Sequence, residues 1–230
     1  MSNTIIVSDE YKNIVDSIQN KGFDIIDSEE ITHLIPYERR HADIQCLKIN
    51  DAFFVVKSCK RLIAELKALD KKVITTEKDI KKNYPCNVLL NALFIDGKLY
   101  CKNYALDESV KRYCVDNNIE IVNVNQGYTK CSTAVFGNSF ITADIGIFEK
   151  LTKNGVEGLL IESGDITLDG ADYGFIGGCS FYNNGTAYFT GDLTKYKNGN
   201  IIKDYLNNKG IKIEYLIKDK LIDIGGFIVL

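Results

Sequence analysis

Residues 127–144 read GYTKCSTAVFGNSFITAD, and this stretch sets the pattern for the whole chain. Residues 129–136 and 139–143 are β-branched and apolar enough for two short strands, and Gly137-Asn138 between them predicts a tight hairpin turn. Asp144 suits a helix N-cap ahead of Ile147, Phe148 and Leu151. Gly155 closes that helix, and residues 156–162, with Leu159, Leu160 and Ile161 at their centre, read as a further strand. The unit is therefore strand, turn, strand, helix, strand.

Variants of this unit recur outward in both directions. One copy begins at His41, with strands over 44–49 and 52–57 across Asn50-Asp51, Ser58 as cap of a helix over 60–69, and a return strand over 73–75. The next runs from Pro85, with a strand over 87–95, a turn at Asp96-Gly97, a strand over 99–102, a helix over 108–116 and a strand over 119–124. The last full copy starts at Tyr173 and turns at 183–185, with a helix over 201–207 and a strand over 211–216. LIDIGGFIVL, from Leu221, is only an opening strand. Its missing parts are found at the other end: a strand over 4–7, a helix over 11–19 capped by Asp9, and a strand over 23–26. The equivalent positions Asp43, Asn87, Cys131, Gly177 and Gly225 follow one another at intervals of 44 to 48 residues, and the step round through the termini has the same length. Five units, 41–84, 85–127, 128–172, 173–220 and 221–230 joined to 1–40, thus tile a closed circle. Such units cannot hide their apolar faces alone, so a ring with helices outside, clasped by pairing of 227–230 beside 4–8, is expected, as one continuous domain.

Composition narrows the functional classes. With 230 residues, 45% hydrophobic and 26% charged, the chain can bury a sizeable core. A net charge of −3, with lysines scattered among acids, gives no indication of a nucleic-acid or anionic-membrane surface. The N-terminus has no signal-peptide pattern and no apolar run approaches a membrane span, so a cytoplasmic location is expected. Seven cysteines without a C-x-x-C pair fit reduced thiols. No metal-ligand spacing or phosphate loop is present, so no metal or cofactor is assigned. The oligomeric state is open.

A five-fold ring of ββαβ units resembles the pentein fold, the α/β propeller of the guanidino-group-modifying enzymes, over essentially the whole chain. More narrowly, NQGYTKCST, YGFIGGCS and DIGG are similar to DUF6873, an uncharacterised bacterial family described as having that fold. The resemblance implies a nucleophilic cysteine, an H-x-D histidine and guanidinium-binding carboxylates around a central channel. Cys131, in C-S-T, is similar to the pentein nucleophile signature, and a thiolate there is suited to attack a guanidinium or amidine carbon; otherwise it is a buried small apolar residue. His41 and Asp43, in HADI, resemble the H-x-D motif, with the aspartate two residues on along a strand pointing the same way. Asp223, before Gly225-Gly226, stands where penteins carry an acid that holds the cation, or is a turn acid. Asp144 is a further carboxylate of this kind, though N-capping accounts for it as well, as it does for Asp192. Gly177 and Gly178 permit close backbone approach, to a ligand or to packing.

Some features depart from the pattern. Lys130 replaces the histidine that precedes the nucleophile, Cys179 stands where many penteins carry an acid, and Cys131 lies two units beyond His41 rather than one. Cys86, in the intervening unit, is therefore a rival nucleophile. Three functions stay open: a cysteine-dependent hydrolase or transferase of a small guanidino or amidino compound; a non-catalytic scaffold of the kind used by the ribosome anti-association factor of this fold; and a small-molecule binder that kept the pocket without the chemistry.

Overall fold

The computed structural model describes residues 3–230. In chain order it opens with β1 (Thr4–Val7), α1 (Lys12–Asn20) and β2 (Asp24–Asp27). After a 3₁₀ turn at Pro36–Glu38 come α2 (Ala42–Gln45), β3 (Cys46–Ile49), β4 (Ala52–Val55), α3 (Lys60–Ala68) and β5 (Lys72–Thr75). The third unit is β6 (Leu93–Ile95), β7 (Lys98–Cys101), α4 (Glu108–Asp116) and β8 (Glu120–Asn123). The fourth is β9 (Thr133–Phe136), β10 (Ser139–Thr142), α5 (Ile145–Lys153) and β11 (Glu157–Leu160). The fifth is β12 (Ser180–Asn183), β13 (Thr186–Phe189), α6 (Gly199–Asn208) and β14 (Lys212–Tyr215), before β15 (Ile228–Val229).

These strands form five separate three-stranded sheets of one design. In each, an antiparallel pair is extended by a parallel third strand that returns after the helix, the short crossover that a ββαβ unit requires. The middle strands β4 and β10 are buried at every position, so they read as continuous apolar runs rather than as alternating ones. The third strands β5, β8 and β11 are exposed at both ends, where Lys72, Thr75, Glu120, Asn123 and Glu157 keep the outer edges polar and Leu160 is the apolar exception. Each long helix lays one apolar stripe inward, such as Leu62, Ile63 and Leu66 of α3.

The first sheet of the circle is built from both termini. β15 pairs antiparallel with β1 through Ile5 with Val229 and Ile6 with Ile228, and the Leu230 N–H donates to the Thr4 carbonyl at 3.0 Å. The clasp expected from the repeat count is therefore present. At the centre the units are joined in a closed circuit of hydrogen bonds. Asp43 N–H donates to Gly225 O at 2.9 Å, Asn91 Nδ2 to Asp43 O at 3.3 Å, Cys131 N–H to Asn91 Oδ1 at 3.3 Å, and Gly177 N–H to Cys131 O at 2.8 Å. Gly226 N–H closes it by donating to Gly178 O at 3.1 Å. Four members are the positions that the repeat spacing aligned. The third is Asn91 and not Asn87, because the expected strand over 87–95 is short: residues 84–91 form turns and β6 begins only at Leu93.

Other local expectations shift. His41 and Asp43 do not share a strand. His41 sits at the N-terminus of α2, and Asp43 lies in its first turn. Cys131 also lies outside β9, in a turn over 129–132 that is closed by Ser132 N–H on Tyr128 O and Thr133 N–H on Lys130 O. Asp107 and Asp144 cap their helices, whereas Asp9 and Ser58 do not; the Ser58 hydroxyl donates to Asp79 at 2.7 Å instead. Asp192 caps a 3₁₀ turn at Leu193–Lys195.

Candidate functional site

The polar centre of the ring opens into a cavity of about 420 Å³, whose walls include Glu38, His41, Tyr128, Cys131, Asp172 and Asp223. Each comes from a loop or turn just ahead of a first strand, or from the segment leading into the fifth unit, so the units deliver their polar residues to one end of the ring. Cys131 is 3% exposed and its thiol donates to Asp43 Oδ2 at 2.9 Å, while Asn91 Nδ2 donates to the sulfur at 2.9 Å. Asn91 also accepts from the Lys130 N–H at 2.8 Å, which fixes the turn that carries the cysteine. Asp43 Oδ1 is buried without a partner.

Two buried carboxylates act on this thiol, Asp43 and Asp223, and a third, Glu38, shares the cavity wall with it; they are 1%, 1% and 4% exposed. Asp223 accepts from the Phe175 N–H at 2.8 Å and the Gly225 N–H at 2.9 Å. Glu38 accepts from the Tyr128 hydroxyl at 2.6 Å and from Asn87 Nδ2 at 3.0 Å. Among the described residues none of the three forms an ion pair with a lysine or arginine. Buried negative charge without a counter-cation is costly, and its effect is visible on the neighbours. Burial, the largest cause, raises the Asp43 carboxyl to about 6; His41 opposes the rise and Asp223 adds to it. Burial likewise pushes the Cys131 thiol well above its ordinary value, and the charges of Asp43 and Asp223 push it further.

The remaining candidates fall into distinct places. His41 is buried and lines the cavity. Gly225 packs against it with φ +78°, where a Cβ would strike the imidazole, so both the conformation and the close approach require glycine. Gly177 and Gly178 lie on a 3₁₀ turn beneath the cavity: a Cβ on Gly177 would meet the carbonyls of Lys130, Cys131 and Thr133, and one on Gly178 would meet the Asp223 carboxylate. They act as packing that lets the acid and the cysteine turn approach, and neither lines the cavity. Asp144 is held as an N-cap by Ile147 N–H at 2.9 Å and faces an adjacent cavity of about 160 Å³, which shares the Tyr173 and Phe175 wall. Cys86 is exposed and lies outside the walls of the main cavity. Lys130 lines a separate groove with Lys48 and Phe227.

Sequence reading missed Glu38, Asn91 and the aromatic wall. Tyr128 stacks between Tyr84 and Phe175, with ring centroids 6.3 and 6.2 Å away, and Tyr173 stands edge-on to Phe175 at 6.1 Å. The signal available for Glu38 was its position three residues before His41; nothing local marks Asn91.

The family described as of unknown function and designated DUF6873 matches residues 5–228. The chain belongs to DUF6873. No curated protein matches it in sequence. Among solved structures, DDAH from Pseudomonas aeruginosa, a cysteine-to-serine mutant complexed with citrulline, is similar at a TM-score of 0.62 and 10% identity over 100% of both chains. The agmatine deiminase of C. jejuni is similar at 0.55 and 10% identity, over 93% of this chain and 87% of its own. The inosamine-phosphate amidinotransferase of Streptomyces griseus is similar at 0.52 and 11% identity, over 94% and 78%. At such identities the likeness establishes the fold, and this DUF6873 protein has the pentein fold that its five repeats pointed to. No helix among the described residues is long and apolar enough to cross a membrane.

Proposed function

We propose that the cavity binds a small guanidino or amidino cation and that Cys131 is the nucleophile which attacks its central carbon. The observation that carries this reading is a buried thiol at the cavity wall with Asp43 and Asp223 beside it and Glu38 in the same wall, three buried carboxylates unpaired by any lysine or arginine among the described residues. A planar cation with several N–H donors is what such acceptors complement, and the faces of Tyr128 and Phe175 suit its delocalised charge.

The free thiol is held protonated by its surroundings, so the cation itself completes the nucleophile. Its positive charge offsets the field of Asp43 and Asp223, the sulfur proton passes to Asp43 Oδ2 along the existing 2.9 Å contact, and the thiolate forms the new C–S bond. His41 donates a proton to the departing nitrogen as the C–N bond breaks, leaving a thiouronium on Cys131. Water, or an acceptor amine in a transferase, then adds to that carbon with loss of its proton to His41, and the C–S bond breaks to return the thiol. A pocket that binds the cation without reacting is the second reading, favoured by the same thiol-to-carboxylate contact.

One experiment separates them: labelling of the native protein with an amidine-type electrophile, resolved by peptide mass spectrometry across pH. The catalytic reading expects Cys131 to be modified at neutral pH, protected by guanidino compounds and spared in His41→Ala. Protection of the fold by guanidino compounds without any modification of Cys131 supports the binder. Labelling confined to the exposed Cys86 removes Cys131 as nucleophile.

A further inference from the structure

The walls of the cavity carry three acids, Glu38, Asp172 and Asp223, against a single basic side chain, His41. Glu38 and Asp223 are buried and Asp172 is exposed at the mouth, and the apolar Leu168, Ala171 and Phe175 share the wall with them. Among the described residues no lysine or arginine lines either this cavity or the adjacent one beside Asp144. The basic groups nearest in sequence are committed elsewhere. Arg40 pairs with Asp9 and Glu30, and Arg39 with Glu30 and the Leu34 carbonyl. Lys130 lines its own groove, and Lys220 lines a shallow hollow along the 165–172 segment that holds Asp165, Asp169 and the other flank of Asp172, outside the cavity wall. Two buried acceptors, Asp43 Oδ1 and Asn87 Oδ1, have no partner. They belong to the residues that hold the thiol and Glu38.

A ligand carboxylate placed here would meet the like charge of three acids with no lysine or arginine to pair with, and His41 is already engaged with the departing nitrogen, which is unfavourable in a partly desolvated pocket. We infer that the substrate is a guanidino or amidino compound that carries no carboxylate, with an amine-bearing tail that reaches Asp172 at the mouth. This rests on the proposed function and sets its substrate class: guanidinoalkylamines are accepted and guanidino acids are excluded. Discrimination of this kind acts by repulsion as much as by attraction.

The test is calorimetric titration of the native protein with 4-aminobutylguanidine, butylguanidine, 4-guanidinobutanoate and arginine. The expected order is aminobutylguanidine tightest, butylguanidine weaker, and guanidinobutanoate and arginine at least tenfold weaker than aminobutylguanidine. Asp172→Asn should bring aminobutylguanidine close to butylguanidine and leave the latter unchanged, and Asp172→Lys should admit guanidinobutanoate. Guanidinobutanoate or arginine binding as tightly as the amine overturns the inference while leaving a guanidino site in place. Failure of all four to bind overturns the guanidino reading and this inference together.

Discussion

Replacing Asp43 by an asparagine isolates the electrostatic cost of the site in the free protein. A carboxyl with its folded value raised from 3.8 to about 6 favours folding most when it is protonated. Below pH 3.8 both folded and unfolded chains hold the proton and the full contribution is present. As pH rises toward 6 the unfolded chain gives up the proton first, so stability is lost, reaching about 3 kcal/mol above pH 6 at about 1.4 kcal/mol per pH unit. The amide of the variant cannot ionise and escapes this loss. It carries a penalty of its own, because an N–H₂ placed where Oδ1 now lies unpartnered is a buried orphan donor costing about 1–3 kcal/mol. That penalty does not depend on pH. The decisive quantity is therefore the change in the stability difference between the two proteins from about pH 4 to about pH 7.5, most of about 3 kcal/mol in favour of Asp43→Asn, or roughly 6–12 °C in melting temperature for a chain of this size. Thermal unfolding followed by circular dichroism at half-unit pH steps measures it. Parallel curves for the two proteins across that range refute the reasoning, since they require a carboxyl at Asp43 that titrates alike in folded and unfolded chains.

Two further outcomes follow from the packing. Gly178→Ala drives a methyl into the Asp223 carboxylate, so it should cost about 1–3 kcal/mol and weaken binding of any cationic ligand; wild-type melting and binding would contradict the close approach. Deletion of 226–230 removes β15 and the buried Phe227 and Ile228, worth about 1.5–3 kcal/mol each, so the melting temperature should fall sharply, and an unchanged one would sink the clasp.

The ring was legible in the chain read on its own. Hairpin turns at Asp96-Gly97 and Asn184-Gly185, with left-handed φ values at both residues of each, and the helix cap at Asp144 are local chemistry written into adjacent residues. Repetition of that chemistry five times fixes the circle, since a half unit at each end has one place to go. Strand ends were less legible. Cys131 and Asp43 look like strand residues in one dimension, but polar neighbours draw them into a turn and a helical turn at the crowded centre.

The site took shape only in three dimensions. Cys131 was marked by its motif, yet its partners lie 40 and 88 residues away in Asn91 and Asp43, and Glu38 meets Tyr128 across 90. No local pattern encodes these contacts, because they are made where loops of different units converge, and Glu38, His41 and Asp43 from one meet Asn91, Cys131 and Asp223 from others in a space shielded from solvent. That convergence is also what sets the charge of the pocket: Lys130 adjoins Cys131 in the chain but lines a different groove, while carboxylates remote in sequence surround the thiol.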